Sequence, residues 1–168
     1  YGTPNGLFSP QPDDVLSGVR GDDNLGYAVA VCDFNGDGRL DIAGGATLHE
    51  DRQAEPVRSN QGGVLIFLGY EDGFLEQPDQ IVLGTRLSGE GEWSNYANLQ
   101  LGAELHGGDL NGDNFCDLVV GANRYAVNGM GNAGAVFVFA GRPADGLSQG
   151  GVTPNAAQLI VNDSAAIN

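Results

Sequence analysis

Short apolar runs alternate along this chain with Gly-, Asn- and Asp-rich punctuation, and the runs come in the same order twice. Leu25-Gly26-Tyr27-Ala28 answers to Leu101-Gly102-Ala103-Glu104. Ile42-Ala43-Gly44-Gly45-Ala46 answers to Leu118-Val119-Val120-Gly121-Ala122, and Val64-Leu65-Ile66-Phe67-Leu68 to Val136-Phe137-Val138-Phe139-Ala140. A turn follows at Asp72-Gly73 and again at Asp145-Gly146. Each unit closes on a short run, Gln80-Ile81-Val82-Leu83 or Gln158-Leu159-Ile160-Val161. Runs this short, rich in Val, Ile and Phe and bounded by turn residues, predict buried strands. No segment sustains a helical period. Each unit therefore reads as four short antiparallel strands, and the chain as all-β.

A four-stranded sheet repeated in tandem is the pattern of β-propeller blades, because such a sheet must stack on a neighbour to bury both faces. The expected division is a first blade over 25–84, an inter-blade loop over 85–100 and a second blade over 101–168. Residues 1–24 fit the same frame. Asn5-Gly6-Leu7-Phe8 and Pro12-Asp13-Asp14-Val15-Leu16-Ser17-Gly18 resemble Asp72-Gly73-Phe74-Leu75 and Pro78-Asp79-Gln80-Ile81-Val82-Leu83-Gly84. They predict the outer strand of a preceding or ring-closing blade and its connection. Two blades and one strand cannot close a circle, so the remaining blades are expected from the same chain or from other subunits.

Between the first two runs of each unit lies a nine-residue acidic loop, Asp33-Phe34-Asn35-Gly36-Asp37-Gly38-Arg39-Leu40-Asp41 and Asp109-Leu110-Asn111-Gly112-Asp113-Asn114-Phe115-Cys116-Asp117. Side-chain oxygens at positions 1, 3, 5 and 9 suit a hard cation, calcium above all. The expected ligands are Asp33, Asn35, Asp37, Asp41 and the backbone carbonyl of Arg39 in one loop. In the other they are Asp109, Asn111, Asp113, Asp117 and the carbonyl of Phe115. Gly36 and Gly38 supply backbone freedom, and Asn114 replaces the second glycine as a residue tolerant of positive φ. Leu40 and Cys116 are expected to point into the sheet. Asp-Asn-Gly clusters also make plain turns; two copies at one point of a repeat favour the metal. The helix-flanked calcium hand does not fit, because Gly44 and Val120 stand where it needs a bidentate Glu.

Charge narrows the partners. Asp and Glu number 22 against 7 Lys and Arg, a net charge of -15 that argues against nucleic acid and against direct docking on anionic lipid. Six of those 22 acids sit in the two loops, so part of the excess is ligand charge. No apolar run approaches the roughly 20 residues that span a bilayer. No signal peptide is visible, and Tyr1 suggests a processed or trimmed start. Cys32 and Cys116 are too few for a disulfide scaffold. They could bridge neighbouring repeats or remain as two buried thiols.

These motifs resemble the FG-GAP repeat of integrin alpha-chain propellers and their bacterial relatives. Leu25-Gly26 and Leu101-Gly102 stand for Phe-Gly, Gly45-Ala46-Thr47 and Gly121-Ala122-Asn123 for Gly-Ala-Pro, with the calcium loop between. The style of the loops looks bacterial or otherwise non-vertebrate. The resemblance implies a seven-bladed propeller, structural calcium in the hairpin between the first and second strands, and partner binding on the opposite face. Strand alternation puts the 2–3 and 4–1 connections on that face, where exposed aromatics beside charges suit recognition. Arg52, Arg58, Trp93, Tyr96 and Tyr125 are the contact candidates. Trp93 could instead fill the gap between blades. His49 and His106 lack a nucleophile in motif context, and Glu90 and Glu92 read as a solvated loop tip rather than an acid–base pair. The expectation is a non-enzymatic, extracellular, calcium-stabilised segment that binds protein or glycan. The alternatives are a structural subunit of an extracellular assembly and an accessory domain of a secreted hydrolase.

Overall fold

The computed structural model describes residues 11–50, 60–84, 99–126 and 131–143, and the backbone of strands at 151–152 and 158–161. Every named element among these residues is a strand. Strands β1 (Leu25–Cys32), β2 (Asp41–Ala46), β3 (Gly63–Phe67) and β4 (Gln80–Leu83) form one antiparallel sheet in that order. Strands β5 (Leu101–Gly108), β6 (Asp117–Ala122), β7 (Ala135–Phe139) and β10 (Gln158–Val161) form the second, in the order β5-β6-β7-β10. Between β7 and β10 in the chain, β8 (Gly141–Arg142) and β9 (Gly151–Val152) pair as a small ribbon that the apolar pattern does not foretell.

The two sheets repeat in register as well as in order. Cys32 faces Asp41 as Gly108 faces Asp117, and the pairing shifts after Leu25 and again after Leu101. Gly26 and Gly102 sit in those bulges at φ +90°. Both closing runs form strands with the expected bounds. The outer strand expected over Pro12 to Gly18 is not formed. The segment pairs with no described strand. It packs instead by side chains: Leu16 and Val19, with Phe74 and Ile81, lie against Leu65 and Phe67.

The alternation of β3 explains how the blades stack. Val64 and Ile66 point from one face of the first sheet and Leu65 and Phe67 from the other. The first pair joins Ala30, Ala43, Leu68 and Val82 in a core shared with Leu101, Leu105, Leu118, Val120, Phe137 and Phe139 of the second sheet. The main core is thus the space between two blades. The remaining faces carry the same kind of pattern uncovered. Tyr27 and Val29 are 62% and 57% exposed, whereas their equivalents Ala103 and Leu105 are buried against the first blade. Val136 is 38% exposed, whereas its equivalent Val64 is wholly buried.

Backbone meets backbone at the seam. A Cβ on Gly45 would lie 2.0 Å from the carbonyl oxygen of Gly102, and one on Gly102 would lie 2.7 Å from that of Gly63. Leu101 N–H donates to the carbonyl of Gln61 (3.2 Å), and Gly62 pairs with Leu101 in a parallel bridge. A disulfide between Cys32 and Cys116 joins the blades at the other end, closing a sequence separation of 84 residues. Chain entropy alone assigns such a closure about 4–5 kcal/mol. Of the two states open to these cysteines, the structure has the bridge.

Gly45→Ala should therefore cost the fold about 2–4 kcal/mol, since only backbone stands in the way. Gly108→Ala, where a Cβ meets nothing within 4 Å, should stay within about 0.5 kcal/mol. Urea denaturation of the two variants checks this; equal midpoints would remove the close-approach explanation.

Candidate metal centre

The two acidic loops occupy the hairpins β1–β2 and β5–β6, at one end of both blades. Their backbone-donated hydrogen bonds are the same residue for residue, and the first loop adds Arg39 Nη1 to Asp37 Oδ2 at 3.4 Å. Position 1 accepts three backbone N–H groups. Asp33 Oδ1 takes those of Gly36 (2.6 Å) and Asp37 (3.1 Å), and Oδ2 that of Gly38 (2.9 Å). Asp109 does the same with Gly112 (2.7 Å), Asp113 (3.2 Å) and Asn114 (2.9 Å). Asn35 Oδ1 accepts from Asp37 N–H at 3.1 Å, and Asn111 Oδ1 from Asp113 N–H at 2.8 Å. These bonds curl each chain through positive φ at Gly36 and Gly38, and at Gly112 and Asn114. Asn114 takes the second glycine's conformation as its residue type foretells.

Position 9 has a different task. Asp41 Oδ2 accepts from Phe34 N–H (2.8 Å), and its Oδ1 from Gly69 N–H just beyond β3 (2.9 Å). Asp117 repeats this with Leu110 N–H (2.9 Å) and Gly141 N–H (3.0 Å). Asp41 is wholly buried and Asp117 nearly so. Each ties the mouth of its loop to the third strand's end. Burial pushes the Asp41 carboxyl up; the N–H groups of Gly69 and Phe34 oppose this, and the nearby charges of Asp33 and Asp37 add to the rise. The N–H groups of Gly112 and Asn114 hold the exposed Asp109 below its ordinary value.

Among the described residues no three Asp, Glu, His or Cys side chains are grouped closely enough to hold a metal. The ligand set expected from sequence also counts an Asn oxygen and a backbone carbonyl in each loop. Its side chains at positions 1, 3 and 5 converge in the following sense: Asp33 Oδ1 and Asn35 Oδ1 share one proton, that of Asp37 N–H. Asn35 Nδ2 reaches Asp37 Oδ2 at 3.4 Å. An all-oxygen set focused this way, with lone pairs to spare on every carboxylate, fits a hard divalent cation. Such an ion would supply positive charge to the carboxylates of its loop and no redox chemistry. Leu40 departs from expectation. It is 62% exposed, because no blade lies on its side, whereas its equivalent Cys116 is drawn inward by the disulfide.

The loops also touch each other. Cys116 N–H donates to the Asp33 carbonyl (3.0 Å), Arg142 N–H to the Phe34 carbonyl (3.1 Å), and the Phe115 ring packs on Gly36. Nothing in the sequence marks Phe115 as the ring that covers Gly36.

Arg52, Arg58, Trp93 and Tyr96, expected at the opposite end, lie outside the described residues. Tyr125 overturns its assignment as an exposed contact. It is 2% exposed and meets Phe137 edge-on, with ring centroids 5.4 Å apart. An aromatic ring beside an Arg in a loop looks like a recognition residue, but here the core between the blades takes it. His49 is likewise buried, its Nδ1 2.8 Å from Asp23 Oδ1, and no sequence signal pairs the two. Asn24 Nδ2 donates to Thr47 Oγ1 beside them (3.1 Å). His106 lies exposed on β5.

Two stacked four-stranded antiparallel sheets, each with an acidic loop in its first hairpin, define the class: consecutive blades of a β-propeller. The family model described as FG-GAP repeat matches residues 25–67 and 101–139, one match in each blade. The chain belongs to the FG-GAP repeat family. It is 36% identical over 118 residues to integrin alpha-8 of Gallus gallus, covering 70% of this chain and 10% of that protein. It is 33% identical over 151 residues to integrin alpha-IIb of Mus musculus, covering 89% and 13%. It is 31% identical over 130 residues to phosphatidylinositol-glycan-specific phospholipase D of Homo sapiens, covering 77% and 14%. The chain thus spans roughly a tenth of the length of these relatives.

The position 9 clamp makes a forecast that does not involve a metal. In chelator, Asp41→Ala strands two backbone donors and should cost about 3 kcal/mol or more. Asp37→Ala, on the exposed part of the loop, should cost within about 1 kcal/mol. Equal unfolding midpoints for the two in urea would mean that Asp41 is no clamp.

Proposed function

We propose that this chain is part of an extracellular, calcium-stabilised β-propeller that binds a protein or glycan partner through the end opposite its acidic loops. The observation that carries the calcium is the loop pair itself, with the same oxygens brought to bear at equivalent hairpins. Each ligand set has three carboxylates and an amide, a charge of -3 against +2 on the ion. The ligands are Asp33, Asn35, Asp37, Asp41 and the Arg39 carbonyl, and Asp109, Asn111, Asp113, Asp117 and the Phe115 carbonyl. The ion is structural, because loops this closely alike serve the blade and not a particular ligand. The Cys32–Cys116 bridge supports an oxidising compartment. The uncovered apolar faces at Tyr27 and Val29 and at Val136 suit further blades, seven in all by family resemblance.

Removing calcium with chelator should lower the melting temperature by about 5–10 °C for each site that was a hundredfold saturated. A melting curve that chelator leaves in place would count heavily against bound calcium. The partner face rests on Arg52, Arg58, Trp93 and Tyr96. Trp93→Ala with Tyr96→Ala should weaken binding at least tenfold to whichever immobilised matrix protein or glycan the native chain retains. Unchanged retention would move the contact elsewhere.

The similarity to phosphatidylinositol-glycan-specific phospholipase D favours one second reading, an accessory role beside a hydrolase. In that reading these blades position a catalytic part that lies outside them and turn over nothing themselves.

A further inference from the structure

We infer that the two acidic loops bind their cations as a coupled pair, with the Cys32–Cys116 bridge and the Phe115 ring carrying the coupling. This rests on the calcium reading above. The disulfide joins two ligand-adjacent residues: Cys32 directly precedes position 1 of the first loop, and Cys116 directly precedes position 9 of the second. The same Cys116 donates its N–H to the carbonyl of Asp33, so one peptide unit is bonded to ligand residues of both loops. Phe115, whose carbonyl is a proposed ligand of the second loop, lays its ring on Gly36 of the first. A Cβ at Gly36 would fall 2.2 Å from that ring.

A second route runs through β8. Asp117 Oδ1 accepts from Gly141 N–H, and the next residue, Arg142, donates to the carbonyl of Phe34. Phe34 N–H in turn donates to Asp41 Oδ2. The last ligand of one loop is thereby linked to the last ligand of the other through three residues. A cation that orders either loop fixes the neighbour's backbone, and the second ion then finds part of its ordering already done. The ions' mutual repulsion opposes this. Salt screens that term within about 8 Å at physiological ionic strength, while the covalent and packing links are indifferent to it. Positive coupling is the expected sign, and linkage makes it reciprocal.

The test is calcium titration of the whole 168-residue chain at physiological salt, by calorimetry or against a chromophoric chelator. The native chain should bind with a Hill coefficient above 1. Asp37→Ala and Asp113→Ala should each leave one site, weaker about fivefold or more than the native average. Phe115→Ala, with the disulfide kept, should bring the Hill coefficient down towards 1, and Phe115→Leu should restore it. Cys32→Ala with Cys116→Ala should do what Phe115→Ala does; Phe115→Ala decides the matter if that double variant fails to fold. Two sites of native affinity that ignore each other overturn this inference and leave the calcium reading standing. No calcium uptake by the native chain overturns both.

Discussion

Everything in this structure depends on how closely two sheets approach. A four-stranded sheet of this size cannot bury both of its faces, so its free energy lies in stacking. Stacking brings the start of β5 onto the end of β2, and there the distance is set by backbone atoms. Gly45 and Gly102 leave room for no side chain between them. This gives a physical reason for the glycines of the repeat: the Gly of the first motif in one blade faces the Gly of the second motif in the blade before it. Gly26, the corresponding residue of the first blade, has open space around it.

The same approach brings the acidic loops together at the far end. Six aspartates on neighbouring hairpins repel one another, and a protein of net charge -15 offers few nearby cations to relieve them. Backbone N–H groups do part of that work. They hold Asp109 low and limit the rise that burial imposes on Asp41. Arg39, 3.4 Å from Asp37, supplies a positive charge in the first loop; a divalent ion would supply one in both. The disulfide and the Phe115–Gly36 contact keep the hairpins apposed despite the repulsion.

Much of this was legible in the residues, for reasons that can be named. Strand order, both closing runs and the hairpin position of the loops follow from periodicity and turn chemistry, which are local properties. Positive φ at Gly36, Gly38 and Asn114 follows from residue type. What escaped was the part decided between blades. Tyr125 beside Arg124 has the look of a surface residue, yet the stacked sheets bury it against Phe137. Leu40 has the look of a core residue, yet it stays in solvent because its burial would need a neighbour on the other side. Local pattern assigns a residue to a face of its own sheet, and only the stacking decides whether that face is covered.

The division of labour between the two ends then has a structural cause. At the acidic end the connections are tight hairpins whose carboxylates hold backbone N–H groups of their own loop and of residues just past β3 and β7. Asp41 and Asp117 cannot be replaced without stranding two backbone N–H groups each. At the other end the connections are long, and their bases are held by a few contacts of a different kind, such as the buried His49–Asp23 pair and the Asn24–Thr47 bond. Those contacts fix where the connections leave the sheet. Sequence in those outer stretches is free to differ from blade to blade, as it does between the first and second units of this chain. A surface that can differ from blade to blade while the scaffold holds constant is where specificity has room to arise. The acidic loops keep the same residues at positions 1, 3, 5 and 9 in both blades, as a part of the scaffold would.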